Sequence, residues 1–192
     1  MKELRVSKIS VETRSGEAVD NSELVLIGRP VVFDTPTTIN DPLGSYNEVI
    51  ERGALDGVDL TDTRLIYNHD LSKVPLARAP KTMTLTVTDE GLEMRAVLAN
   101  TEEAKSIYTA VQRGDLDGMS FAFKVPEGSD SYDRETNTRT IHKIEKIYEV
   151  SVVPFPAYAT TSVEARSMIT KFSDPGRDQV KKKLNKILFK GV

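Results

Sequence analysis

Three residue types in this chain could together do hydrolytic chemistry: an imidazole at His69, a hydroxyl at Ser120 and a carboxylate at Glu149. His69 lies in "LIYNHD" (65–70), an apolar run that ends on a polar triplet, and it is one of only two histidines. Alone, a histidine in such a place reads as a solvated turn residue. In "GDLDGMSFAFKV" (114–125) strand alternation puts Met119, Phe121, Phe123 and Val125 on one face. Ser120, Ala122 and Lys124 share the other, and Gly118 allows close backbone approach just before the serine. The plainer account is a small-residue strand face packed under a helix. In "YEVSVVPFPAYATTSV" (148–163), Glu149 and Ser151 share a face opposite Tyr148, Val150 and Val152. A carboxylate among apolar neighbours faces solvent or meets a partner, because burying it without hydrogen bonds is costly. Accepting the imidazole N–H of His69 would satisfy Glu149, fix the tautomer and stabilise the imidazolium formed when Ser120 gives up its proton.

Two residues compete with Glu149 for the third role. Asp70 adjoins His69, although neighbouring strand residues point to opposite faces. His142 lies in a charged segment, where a solvated position is expected. Spacing does not choose among the three.

Composition removes other chemistries. The chain has 192 residues, 39% hydrophobic and 29% charged, as in a soluble globular protein. It has no cysteine, hence no disulfide, thiolate nucleophile or cysteine-ligated zinc, and two histidines cannot make a three-imidazole zinc site. There is no EF-hand loop, P-loop or dinucleotide fingerprint, so neither metal nor cofactor is expected. The first residues, "MKELRVSKISVETRS", do not read as a secretory signal, and no run approaches the roughly 18 apolar residues of a membrane span. A cytoplasmic location is the expectation. The net charge of −3 is uneven: residues 171–192 carry +5, leaving the remainder near −8. An acidic body does not suit nucleic acid.

The elements that must position these groups are mostly strands. Runs at 23–33, 63–68, 82–88, 91–99, 118–125 and 143–153 read as strands, with Asp89–Glu90 joining two of them into a hairpin. Residues 126–140 are polar and turn-rich, a loop or exposed hairpin tip. Residues 101–114 predict a helix: Thr101 caps it, Gly114 closes it, and Ala104, Ile107, Tyr108 and Val111 form its apolar face. A second helix is expected after Asp174–Pro175, with Val180, Leu184, Ile187 and Leu188 on one face. The fold class expected is mainly β (α+β), a barrel-like core of about six to seven strands with packed helices. A main domain over 1–165 and a basic helical tail over 166–192 complete the division.

The order "NHD", "GMSFAF", "YEVSVVPFPA", with "ERGALDGV" (51–58) ahead of the histidine and "TDEGLEMRAVLANT" (88–101) before the helix, resembles the prohead (head maturation) proteases of tailed bacteriophages. The resemblance spans about residues 20–165. It implies a serine endopeptidase with a fold similar to the herpesvirus assembly proteases, a β-barrel surrounded by helices. The family's catalytic positions fall on His69 and Ser120, with Glu149 the less direct match, since the herpesvirus enzymes use a second histidine. Implied substrates are capsid and scaffold segments inside an immature head, within the host cytoplasm, and the protease itself. Implied partners are the capsid or scaffold protein and a second copy of the chain. A catalytically silent scaffold of the same fold is the alternative from another class. A small-ligand barrel ranks below both, given 6% aromatics and no tryptophan.

Overall fold

The computed structural model describes residues 2–7, 11–13, 23–41 and 44–154. In chain order these form β1 (Lys2–Ser7), β2 (Val11–Thr13), β3 (Leu24–Val32), β4 (Thr37–Asp41), β5 (Gly44–Ile50), β6 (Arg64–Tyr67) and β7 (Ala77–Arg78). They continue with β8 (Met83–Val87), β9 (Gly91–Leu98), α1 (Glu102–Gln112), β10 (Gly118–Lys124), β11 (Asp130–Asp133), β12 (Thr138–Ile141) and β13 (Lys146–Val153).

The strands make three sheets, ordered β1-β10-β13-β6-β7, β11-β12-β5-β4 and β2-β3-β9-β8. The chain is mainly β, but the expected barrel is corrected: among the described residues no sheet closes on itself, and thirteen strands replace six or seven. One long run shows why a continuous ladder fails. In β3 the register with β9 shifts between Gly28 and Val31, where Pro30 has no N–H to give. The packed helices reduce, among the described residues, to α1. The expected helix after Asp174 and the basic tail lie outside the described residues.

Helix α1 forms as its sequence dictates. The Thr101 side chain accepts from the Ala104 N–H, Glu102 and Glu103 occupy the positive first turn, and Ala104, Ile107, Tyr108 and Val111 are buried. Residues 82–99 form the antiparallel β8–β9 pair, and 126–140 resolves into the β11–β12 hairpin.

Strand β10 is flanked on both sides, by β1 and β13, and only its last residue is not fully buried. Phe121 and Phe123 share one face and stack at 4.8 Å between ring centroids. They belong to one core with Leu26, Leu65, Met94, Ile147 and Val150.

A second buried layer is ionic. Arg5 on β1 pairs with Glu3 and Glu48, and Arg139 on β12 pairs with Glu3 (2.6 Å), Glu48 (2.8 Å) and Asp130 (2.9 Å). Arg139 is fully buried. The Arg5 guanidinium also lies over the Phe123 ring, 5.5 Å from its centroid, which ties β1 to the apolar core.

Candidate active site

The site is assembled by three neighbouring strands of the five-stranded sheet. β10 and β13 are antiparallel, with Ser120 opposite Ser151 and Ala122 opposite Glu149. Residues opposed in this way point to the same face, so all four side chains share one side of the sheet. Simple alternation would also put Ile147 there. A register shift between Ala122 and Phe123 prevents it: Phe123 is opposite Ile147, which makes Tyr148 the extra residue of a bulge. Ile147 and Val150 consequently both face the core, fully buried, while Glu149 and Ser151 face the other way.

β6 runs parallel to β13 and delivers His69. The strand ends at Tyr67, so His69 is a turn residue rather than a strand end. Asn68 and His69 both have positive φ, 50° and 58°, and the Asp70 N–H donates to the Tyr67 carbonyl at 3.0 Å. Two left-handed residues inside a three-residue-closed turn is the type I′ pattern, and Asn and His are among the residues that enter this region most readily. The Asn68 N–H donates to the Val152 carbonyl at 2.9 Å and pins the turn to β13. The triplet "NHD" is thereby explained as the chemistry of the turn that aims the ring.

The ring returns over β13. His69 Nδ1 lies 2.7 Å from Glu149 Oε1, and the carboxylate is 3% exposed on its side chain. Glu149 Oε2 accepts from Ser151 Oγ at 2.6 Å, and the same Oγ lies 3.3 Å from His69 Nδ1. With Nδ1 facing a buried carboxylate, the imidazole proton belongs on Nδ1, leaving Nε2 as the basic nitrogen. Nε2 is buried and has no partner among the described residues. Ser120 is fully buried, and its Oγ donates to the Arg5 carbonyl at 2.5 Å. The structure therefore joins His69 to Glu149 and seats Ser120 one strand away on the same face, its hydroxyl turned toward β1.

The competitors for the third position go elsewhere. Asp70 Oδ1 accepts from the Ser72 N–H (2.9 Å) and Oγ (2.6 Å), bonds that hold its carboxyl below the usual range. His142 lies just past β12 of the β11-β12-β5-β4 sheet, in an exposed hydrogen-bonded chain of its own, with Nδ1 2.5 Å from Glu51 and Nε2 2.8 Å from Ser131. Among the described residues there is no group of three or more His, Cys, Asp or Glu able to hold a metal.

The profile of the caudovirus prohead serine proteases matches residues 9–174. The chain belongs to that family. Among solved structures, the capsid assembly protease gp21 of bacteriophage T4 is similar over 80% of this chain and 99% of that one, at 11% identity and a TM-score of 0.43. No curated protein matches the chain. Ser120, Glu149 and the turn residue His69 thus share one face of the five-stranded sheet, and a second serine, histidine and glutamate, Ser131, His142 and Glu51, are hydrogen-bonded to one another at the surface. The second set is open to water, where hydrogen bonds and charges are worth little. Sequence reasoning left two participants unused. Ser151 was visible as a co-facial neighbour of Glu149; the Arg5 carbonyl had no signal, being backbone on a strand that reads as charged.

Proposed function

We propose that the chain is a serine endopeptidase of phage prohead maturation, with Ser120 as nucleophile, His69 as general base and Glu149 as its orienting carboxylate. The observation that carries this reading is the 2.7 Å contact of His69 Nδ1 with a buried glutamate, on the sheet face that also bears Ser120. In the reaction, the Ser120 hydroxyl turns from the Arg5 carbonyl toward Nε2 and attacks the scissile carbonyl as His69 takes its proton. His69 then protonates the leaving amine, and water repeats the sequence on the acyl-enzyme. Glu149 accepts the Nδ1–H throughout and stabilises the imidazolium. Substrates are capsid and scaffold segments within the assembling head in the host cytoplasm, and the enzyme works as a self-associated form, a dimer or larger. It also trims its own basic tail between about residues 165 and 185, a stretch whose sequence includes the turn-forming residues Asp174-Pro175-Gly176.

One observation favours a second reading. Ser120 is fully buried with its hydroxyl on Arg5, as a catalytically silent assembly scaffold would tolerate. Fluorophosphonate labelling separates the two. An active protease gains one phosphonyl group, on the peptide bearing Ser120, and loses it in Ser120→Ala; a silent scaffold stays unlabelled at any time. Intact mass of wild-type protein and Ser120→Ala, incubated identically, tests the tail: only the wild type shortens if the cleavage is its own.

A further inference from the structure

Two serines, not one, stand on the sheet face beneath His69, directly opposite each other in the β10–β13 ladder. They cannot have the same role. A nucleophile must give its proton to the free basic nitrogen, and Ser151 Oγ is 3.3 Å from the other nitrogen, Nδ1, which already faces Glu149. Its proton is committed as well, since Ser151 Oγ donates to Glu149 Oε2 at 2.6 Å. Both oxygens of this buried carboxylate are thus engaged, one by the imidazole and one by a hydroxyl that is itself completely buried. Such a carboxylate is held in place, because releasing either bond leaves a buried charge short of a donor.

We infer that Ser151 is a positioning residue that sets the basicity of His69 through Glu149; this rests on the reading of His69 and Glu149 given above. A donor on Oε2 withdraws charge from the carboxylate and weakens its hold on the Nδ1 proton. Without the hydroxyl, the carboxylate charge concentrates toward Nδ1, the imidazolium is favoured, and the base stays protonated to higher pH. Ser151 Oγ also packs against the Nδ1 side of the ring, at 3.3 Å.

The test is the rate of fluorophosphonate labelling against pH, on the full chain, with the labelled peptide identified by mass spectrometry. For Ser151→Ala the label stays on Ser120, the plateau rate falls by about tenfold, and the acid limb moves up by roughly half to one pH unit. Ser151→Thr, which keeps the hydroxyl, brings the limb back, and Ser151→Cys, a weaker donor, falls between. Circular dichroism and Tm of each variant check that the fold persists; if Ser151→Ala does not fold, the Cys and Thr pair carries the comparison. A limb that does not move in Ala, or that Thr leaves displaced, overturns the inference while labelling at Ser120 keeps the nucleophile reading intact. Label on Ser151, or wild-type rates in Ser120→Ala, overturns both.

Discussion

At the scale of single residues the decisive matter is which groups act as a unit. Ser120→Ala removes one hydroxyl from a small-residue face and should leave Tm nearly unchanged, yet lower peptide hydrolysis by on the order of 10⁴-fold or more. His69→Ala should do comparable damage, and the double variant little more, because neither residue is of use without the other. Additive losses in kcat/KM would show that they do not act together. Glu149→Gln should cost less, on the order of 10³-fold, since the nucleophile and base remain while the imidazolium loses its support. Asp70→Asn, His142→Ala and Ser131→Ala should each stay within a few-fold of wild type, because the Asp70 carboxylate is engaged by Ser72 and the side chains of the other two bond each other and Glu51 at the exposed surface. A severe His142→Ala with a mild Glu149→Gln would move the site to the surface set.

At the scale of elements, the turn after β6 holds the base, and its backbone is the vulnerable part. Asn68→Gly keeps access to positive φ and should preserve both Tm and turnover within a few-fold. Asn68→Val puts a β-branched residue into the left-handed region, at a cost of about 1–2 kcal/mol, and should shift the ring off Glu149. Turnover should fall more than tenfold while Ser120 remains present, a split read by kcat/KM beside Tm; equal activity of the two variants would mean that the turn does not aim the ring. Much of this level was legible in the sequence. Helix α1 announced itself through Thr101, its acidic first turn and one clean apolar face, and β8, β9 and β10 through β-branched or alternating residues. What escaped has a common physical cause. β1, β5 and β12 turn Glu3, Arg5, Glu48 and Arg139 inward, and buried ion pairs look like solvent-exposed charge when only one strand is read. The same blindness made the molecule look like one small barrel. The bulge at Tyr148 was hidden too, since alternation through 147–151 would have placed Ile147 beside Glu149. His69, Ser120 and Glu149 could be singled out as residues, but the geometry between them depends on a register that no single segment encodes.

At the scale of the whole molecule, the ionic layer joins β1 to the β11-β12-β5-β4 sheet and so fixes the strand whose carbonyl holds Ser120. Among the described residues it gathers two guanidiniums and three carboxylates around Tyr46. Removing one cation leaves carboxylates buried and short of partners, so Arg139→Met should destabilise by about 3–5 kcal/mol. That corresponds to roughly 10 °C in Tm for a chain of this size; a loss below 1 kcal/mol in denaturant titration would mean that the layer is solvated in solution.

The same layer contributes to stability at both ends of the pH range. Burial alone would raise the Glu48 pKa, but the charge and hydrogen bonds of Arg5, then those of Arg139, outweigh it and hold the carboxyl below its ordinary 4.5. A depressed folded pKa contributes stability that is present above the unfolded value and lost as pH falls through the folded one, so this term fades below about pH 4.5. Tyr46 works in the opposite sense. Burial is the main cause that pushes its phenol from 10.0 to about 12, with the Arg5 charge opposing and Glu48 adding to the rise. A raised folded pKa contributes stability that is fully present below pH 10 and lost as pH rises through about 12. Ionising Tyr46 would add a further anion to a buried group whose carboxylates already outnumber its guanidiniums. Tyr46→Phe has no proton to lose, and the side-chain hydrogen bond it removes, from Arg5 Nη2 to the phenol oxygen, is long at 3.5 Å. The variant should therefore be close to wild type in stability at pH 7 and clearly more stable relative to it at pH 11. Urea midpoints of the two proteins at pH 7, 9 and 11 measure this directly, and parallel midpoints across the series would show that Tyr46 ionises in the folded protein as freely as in the unfolded chain.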